Sequence, residues 1–206
     1  MEARRYAALT GPVLVAFPLQ AHAHHAMDNV LPGTALEGLI SGLAHPVIGL
    51  DHFVFVLAIG VACYCFGQRA AAVAGFIAAA VAGTVLHLYK ASLPYPDAWV
   101  ALSVLALGLL MLRAAPFLKG RAAPLFFALC GLAHGYAYGE SIVGAEPTPL
   151  FAYLAGYTVV QVAVVMAGYA LARYASRRAA PAVATTAAGA ALSVAGTAFL
   201  VLSFAG

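Results

Sequence analysis

Charge is what this sequence has least of. Asp, Glu, Lys and Arg make up 8% of its 206 residues, where a soluble domain carries about 25%. That scarcity excludes an ordinary solvated surface. With 64% hydrophobic residues and a mean hydropathy of +0.95, the chain reads as an integral membrane protein of all-α class. Its formal net charge of +3 makes no basic face for nucleic acid. Cysteine is scarce too. Cys63, Cys65 and Cys130 each sit inside an apolar run, which argues against a disulfide framework. No glycine-rich phosphate loop is present, so the chain does not itself hydrolyse ATP.

What the sequence does have is long apolar runs. The first carries the marks of a signal peptide. Arg4 and Arg5 form a basic start, Tyr6 to Leu19 an apolar stretch, and Ala21 to Ala23 a small-residue cleavage site. A short first membrane helix is the competing reading; Pro12 and Pro18 favour the signal peptide over residues 1–23. The remainder, 24–206, reads as one six-helix transmembrane domain. Its spans are expected at about 35–66, 70–89, 98–114, 123–139, 150–172 and 182–204, since crossing the hydrocarbon takes about 20 residues. The first is too long for a simple crossing and predicts a break near Pro46. Gly75, Gly83, Gly156, Gly168, Gly189 and Gly196 are expected at helix–helix contacts.

Loop charge sets the orientation. With the mature N-terminus outside, the inner loops hold Arg69, Arg113, Lys119, Arg121, Arg173, Arg177 and Arg178, and the outer segments hold Lys90. This predicts a bacterial inner-membrane protein with a periplasmic N-terminus. On that topology His45, Asp51, His52, His87, His134 and Glu140 all fall toward the outer face, from three different spans. Ionisable groups inside spans are costly and normally face a cavity or a partner. Imidazole with carboxylate suits nickel, cobalt or zinc.

His45 and His52 are seven residues apart, about two turns, so a continuous helix would put both on one face. Pro46 removes a backbone donor, and Gly49 admits close approach. Asp51 is either a direct ligand or an acceptor that orients a histidine. Glu37 reads as a solvated helix start. Cys63 and Cys130 read as apolar filler, with a thiol relay for a soft ion as the sharper alternative. In "HAHHAMD" (His22 to Asp28), His24 and His25 would stand at the mature N-terminus and could capture metal.

The stretch "GLAHPVIGLDHFVFVLAIG" (Gly42 to Gly60) resembles the HPxxGxDH signature of the HupE/UreJ family of nickel transporters. "LAHGYAYGE" (Leu132 to Glu140) is similar to that family's second motif, FHGxAHGxE. Three positions depart from it. Tyr138 stands where the family has a second histidine, Ala133 where it has an aromatic, and Glu140 comes one residue early.

The resemblance implies a signal peptide, six spans and a secondary transporter for a divalent transition metal. The cargo it implies is nickel first, with some relatives linked to cobalt; the ligand chemistry also admits zinc. The partners are then the ion and membrane lipid, with no catalytic cofactor and no enzymatic step. The alternative is an intramembrane metal-dependent hydrolase, for which Ser41 and Ser141 would be the nearby nucleophiles.

Overall fold

The structure is a computed structural model, and it describes residues 30–68, 70–178 and 180–205. The expected signal peptide, His24, His25 and Arg69 lie outside the described residues. Seven α-helices and two short 3-10 turns account for the described fold, and no strand occurs among the described residues.

Helix α1 (Ala35–Ile48) opens on a capping box. The Glu37 amide donates to Thr34 Oγ1 at 3.2 Å, and the Thr34 amide donates to Glu37 Oε2 at 3.1 Å. Each satisfies a donor that the first turn leaves orphaned. Glu37 is therefore the solvated helix start expected of it.

The break predicted near Pro46 exists, and Pro46 itself does not make it. That proline stays inside α1, costing one backbone hydrogen bond without ending the helix. The chain turns three residues later, at Gly49, whose φ of −72° and ψ of 100° are extended. Helix α2 (Leu50–Phe66) then leaves at 79° to α1. The ladder restarts with the Phe53 amide donating to the Gly49 carbonyl at 2.8 Å, and the Asp51 carboxylate accepts the otherwise orphaned His52 amide at 2.8 Å. His45 and His52 therefore do not share a face of one straight helix, as their spacing predicted. The bend brings them together instead.

The remaining helices are α3 (Ala70–Leu88), α4 (Pro96–Leu112), α5 (Ala123–Gly139), α6 (Pro147–Ala175) and α7 (Pro181–Leu202). They pair where glycine bares the backbone, as expected where packing rather than hydrophobic drive joins helices. Gly131 and Gly135 of α5 lie against Phe76 and Ala80 of α3, and Gly42 of α1 lies against Tyr153 of α6. Gly60 of α2 meets Val165 of α6, and Gly168 of α6 meets Leu57. Gly189 and Gly196 of α7 meet Leu112 and Leu105 of α4. A methyl group at any of these would collide with the neighbouring backbone. Gly75 is the exception among the expected packing glycines; its nearest neighbours, Pro124 and Ala128, would stand 3.8 and 4.0 Å from such a methyl.

These contacts fix relative directions. Helices α3 and α5 run parallel, α2 and α6 run parallel, and α4 and α7 run antiparallel. Arg113, Lys119, Arg121, Arg173, Arg177 and Arg178 consequently gather at one end of the bundle. Glu37, Asp51, Asp97, Glu140 and Glu146 sit toward the other, with Lys90.

Among the described residues, three helices are long and apolar enough to cross a membrane: α3, α6 and α7. The bent pair α1–α2 makes a fourth if it counts as one span. Helices α4 and α5, at 17 residues each, fall short of that length. Large apolar side chains such as Leu129, Val159, Met166 and Val194 stay exposed on the outside of the bundle, the pattern of a surface that meets lipid. The main buried cluster, around Phe55, Phe76, Leu107 and Phe127, also contains Cys63 and Cys130. Both thiols are free and buried in apolar surroundings, which is the filler reading.

Candidate metal centre

Helix α2 carries His52 in its first turn, and α5 carries His134 in its outer half. The two Nδ1 atoms lie 2.8 Å apart, although 82 residues separate them in sequence. Both side chains are buried, His134 completely. His134 stacks on Phe55 at 4.5 Å between ring centroids. On its far side His134 Nε2 meets Ser103 Oγ of α4 at 2.8 Å.

This chain of contacts assigns the protons. The Ser103 hydroxyl donates to the Val100 carbonyl at 2.6 Å, so its oxygen is left to accept from His134 Nε2–H. Neutral His134 then presents a lone pair at Nδ1, and His52 donates Nδ1–H to it. Three helices hold one imidazole in one tautomer and one orientation.

The spacing of the pair, though not its orientation, is near that of a chelate. Two nitrogens bound about 2.0–2.1 Å from one ion stand about 2.9–3.4 Å apart for right-angle to tetrahedral arrangements. Chelation needs both rings to turn, because in the hydrogen bond each Nδ1 points at the other and not at a shared ion, and the shared proton must move to His52 Nε2 or leave. Among the described residues no three His, Cys, Asp or Glu side chains converge as a ready-made cation cage. The pair is the core of the site, and its other neighbours are aromatic.

His45 joins it. Its ring centroid lies 6.1 Å from that of His52 and 5.1 Å, edge-on, from that of Tyr138. Tyr138 in turn lies 4.4 Å from His52. It is fully buried and its hydroxyl has no hydrogen-bond partner among the described residues. A buried hydroxyl left unpaired costs about 1–3 kcal/mol, so the site carries an unmet polar demand beside the histidine pair. Tyr153 walls the other side. Its hydroxyl donates to the Tyr138 carbonyl at 2.9 Å and meets Ser141 Oγ at 3.0 Å.

Gly49 is required here by close approach. A methyl at this position would come within 2.8 Å of His52 Cδ2 and 3.4 Å of Asp51 Oδ1. Gly49→Ala is expected to push the His52 ring off His134. Metal affinity should fall while the protein still inserts, with a stability loss of about 1–3 kcal/mol. Metal titration beside a thermal-unfolding measurement checks both halves.

Of the other expected site residues, His87 and Glu140 stand apart from the pair, and Asp51 stays beside it. His87, at the outer end of α3, donates from Nδ1 to the Tyr136 carbonyl at 2.8 Å and packs on the Tyr136 ring at 4.5 Å. The Tyr136 hydroxyl ties the next loop, donating to the Ala91 carbonyl at 2.7 Å and accepting the Leu93 amide at 3.1 Å. His87 thus belongs to a latch between α3, α5 and the loop. Glu140 is exposed, in the 3-10 turn after α5. Asp51 is half-buried and engaged with the His52 amide.

Two participants had not been singled out from the sequence. Ser103 is one; a serine in an apolar helix gives no distinguishing signal. Asp97 is the other. It lies in the first turn of α4, within electrostatic reach of Asp51, His52 and Glu140. These carboxylates form an acidic mouth above the pair. The "YPD" start of α4 (Tyr95 to Asp97) was the available signal, because an acid just inside a proline-started helix sits at its mouth.

A family model described as "HupE / UreJ protein" matches residues 12–199. The chain belongs to the HupE/UreJ family. It is also 31% identical over 191 residues to Protein HupE of Rhizobium leguminosarum bv. viciae, covering 91% of this chain and 93% of that protein. No solved structure matches. The HupE/UreJ motif residues His45, Gly49, Asp51, His52 and His134 all fall at the bend or on the ring pair. Tyr138, the departure from the second motif, falls against His52.

One consequence concerns Ser103, which holds the tautomer of His134. Ser103→Ala removes the acceptor of Nε2–H and should weaken metal binding about 10–100-fold, the usual effect of losing a partner that orients a ligand. Titration of the purified variant checks this. Wild-type affinity would mean that the hydroxyl serves helix packing alone.

Proposed function

We propose that this protein is a secondary transporter that carries a divalent transition-metal ion, nickel first, from periplasm to cytoplasm across the bacterial inner membrane. Cobalt and zinc suit the same donors. The observation that carries the reading is the buried His52–His134 pair, with Nδ1 atoms 2.8 Å apart, below the carboxylates of Asp51, Asp97 and Glu140. The acids raise the local cation concentration, and the imidazoles exchange hydration water for nitrogen. His45 and Tyr138 flank the ion. His87 and Glu140 act at the rim, and His24 and His25 would meet the ion first.

The topology that belongs to this proposal is six crossings after a signal peptide at residues 1–23. Helices α4 and α5 are short, but each lies along a longer helix, α7 and α3. The bent α1–α2 pair enters beside α6. The basic end of the bundle is then cytoplasmic by the positive-inside rule.

The hydrolase reading is not favoured. A catalytic zinc takes three protein ligands and a water, and the described residues bring no such trio together. Accumulation of radioactive nickel by cells expressing the full-length chain, against empty-vector cells, tests the assignment. Equal accumulation in both, with cobalt and zinc also unmoved, would sink it.

A further inference from the structure

Gln161 lies within α6 and is fully buried, and neither its Oε1 nor its Nε2 has a hydrogen-bond partner among the described residues. A side-chain amide offers two donors and an acceptor with two lone pairs. Burying all of them unmet, where leucine would pack, calls for an occupant that has polar atoms of its own.

Its place in the fold points to that occupant. Along α6, Gly156 packs on α1 near Leu39 and Leu43, while Val165 and Gly168 pack on α2 near Gly60 and Leu57. Gln161 falls between these two contacts, at the level where the first span bends by 79°. One helical turn outward stands Tyr157, whose ring lies 5.4 Å from that of Tyr138 and whose hydroxyl approaches Thr84 Oγ1 at 3.4 Å. Tyr138 is the other fully buried side chain whose polar atom is unmet. The two unmet groups therefore stand on either side of Tyr157, one beside the histidine pair and one deeper in the bundle.

The seam between α2 and α6 continues to the basic end. There it opens on a cavity of about 240 Å³ lined by Tyr64, Cys65, Ala172, Ser176 and Ala184. Tyr64 and Ser176 hydroxyls meet across it at 2.6 Å.

We infer that Gln161 is a second station for the cargo, where its amide oxygen receives the partly hydrated divalent cation from the histidine pair and its N–H groups hold the water that travels with it. The ion's path then follows α6 from the bend to the inner cavity. Oxygen donors bind such ions more weakly than imidazole, which is what a station of passage needs: the ion must leave it. This rests on the transport reading above.

The test separates binding from passage. In full-length protein, Gln161→Leu keeps the histidine pair, so nickel titration of the purified variant should give an affinity within about threefold of wild type. Uptake by cells should lose about tenfold or more in maximal rate with little change in the half-saturating concentration. Gln161→Met, unbranched and of similar length but lacking the amide, should behave the same way. It carries the test should the leucine variant fail to reach the membrane. Wild-type rates in either variant, at equal protein in the membrane, would overturn the station. A wild-type protein that neither binds nor accumulates metal would instead overturn the transport reading, and the station with it.

Discussion

Cells expressing His52→Ala should accumulate no more nickel than cells carrying an empty vector, and the same holds for His134→Ala. Each substitution removes one of the two nitrogens that stand 2.8 Å apart and leaves the other without a partner. Losing a partner that merely orients a ligand costs about 10–100-fold in affinity, so losing the ligand itself should cost at least that. The two variants differ in what else they break. His134 is fully buried, stacked on Phe55 and bonded to Ser103. Its truncation opens a cavity and strands two polar groups, which should lower stability by about 2–4 kcal/mol. His52 stands at the first turn of α2, beside the mouth, and its truncation should cost less. Uptake must therefore be normalised to the amount of protein in the membrane, with thermal unfolding measured alongside. Because the two rings act as one unit, the double variant should be no worse in uptake than either single one. Full uptake by the His52→Ala protein at equal membrane level would remove the pair from the path of the ion.

The histidines were legible in the sequence because an ionisable group in an apolar run is expensive and needs a reason. That cost is local and can be read residue by residue. It located His45, Asp51, His52 and His134, and it could not say which of the outer-face groups meet. His87 passes the same test of cost, yet its partner is the Tyr136 carbonyl. The bend falls near Pro46 as expected, with Gly49 as the residue that makes it. Proline is the louder signal, but a helix tolerates losing one hydrogen bond more readily than it tolerates an extended residue, and Gly49 supplies the latter. Ser103, Tyr153 and Tyr157 were invisible as site residues. Serine and tyrosine are ordinary in membrane helices, and what they touch depends on helices far away in sequence. Gln161 carries the same kind of cost in a weaker form, because an amide is polar but uncharged.

Tyr138 marks where this chain parts from the family motif, and reversing the difference gives the second large expected effect. Tyr138→His should tighten nickel binding by about tenfold or more, because it places a third imidazole against His52 and His45. The tyrosine ring lies 4.4 Å from His52 and 5.1 Å from His45, so a nitrogen at this position comes within reach of an ion held by the pair. The hydroxyl it replaces has no hydrogen-bond partner among the described residues, so little hydrogen bonding is lost. The smaller ring leaves some empty volume, with a stability cost of about 1–2 kcal/mol. Transport need not follow affinity. A carrier that binds more tightly releases more slowly. Uptake should rise at scarce nickel and fall at saturating nickel, with a crossing point between. Titration of the purified variant and an uptake curve over the full concentration range check the two halves separately. An unchanged affinity would mean that position 138 faces away from the ion and serves as a wall. A tighter site with an unchanged maximal rate would place the slow step after the ion has left the histidines, deeper along α6.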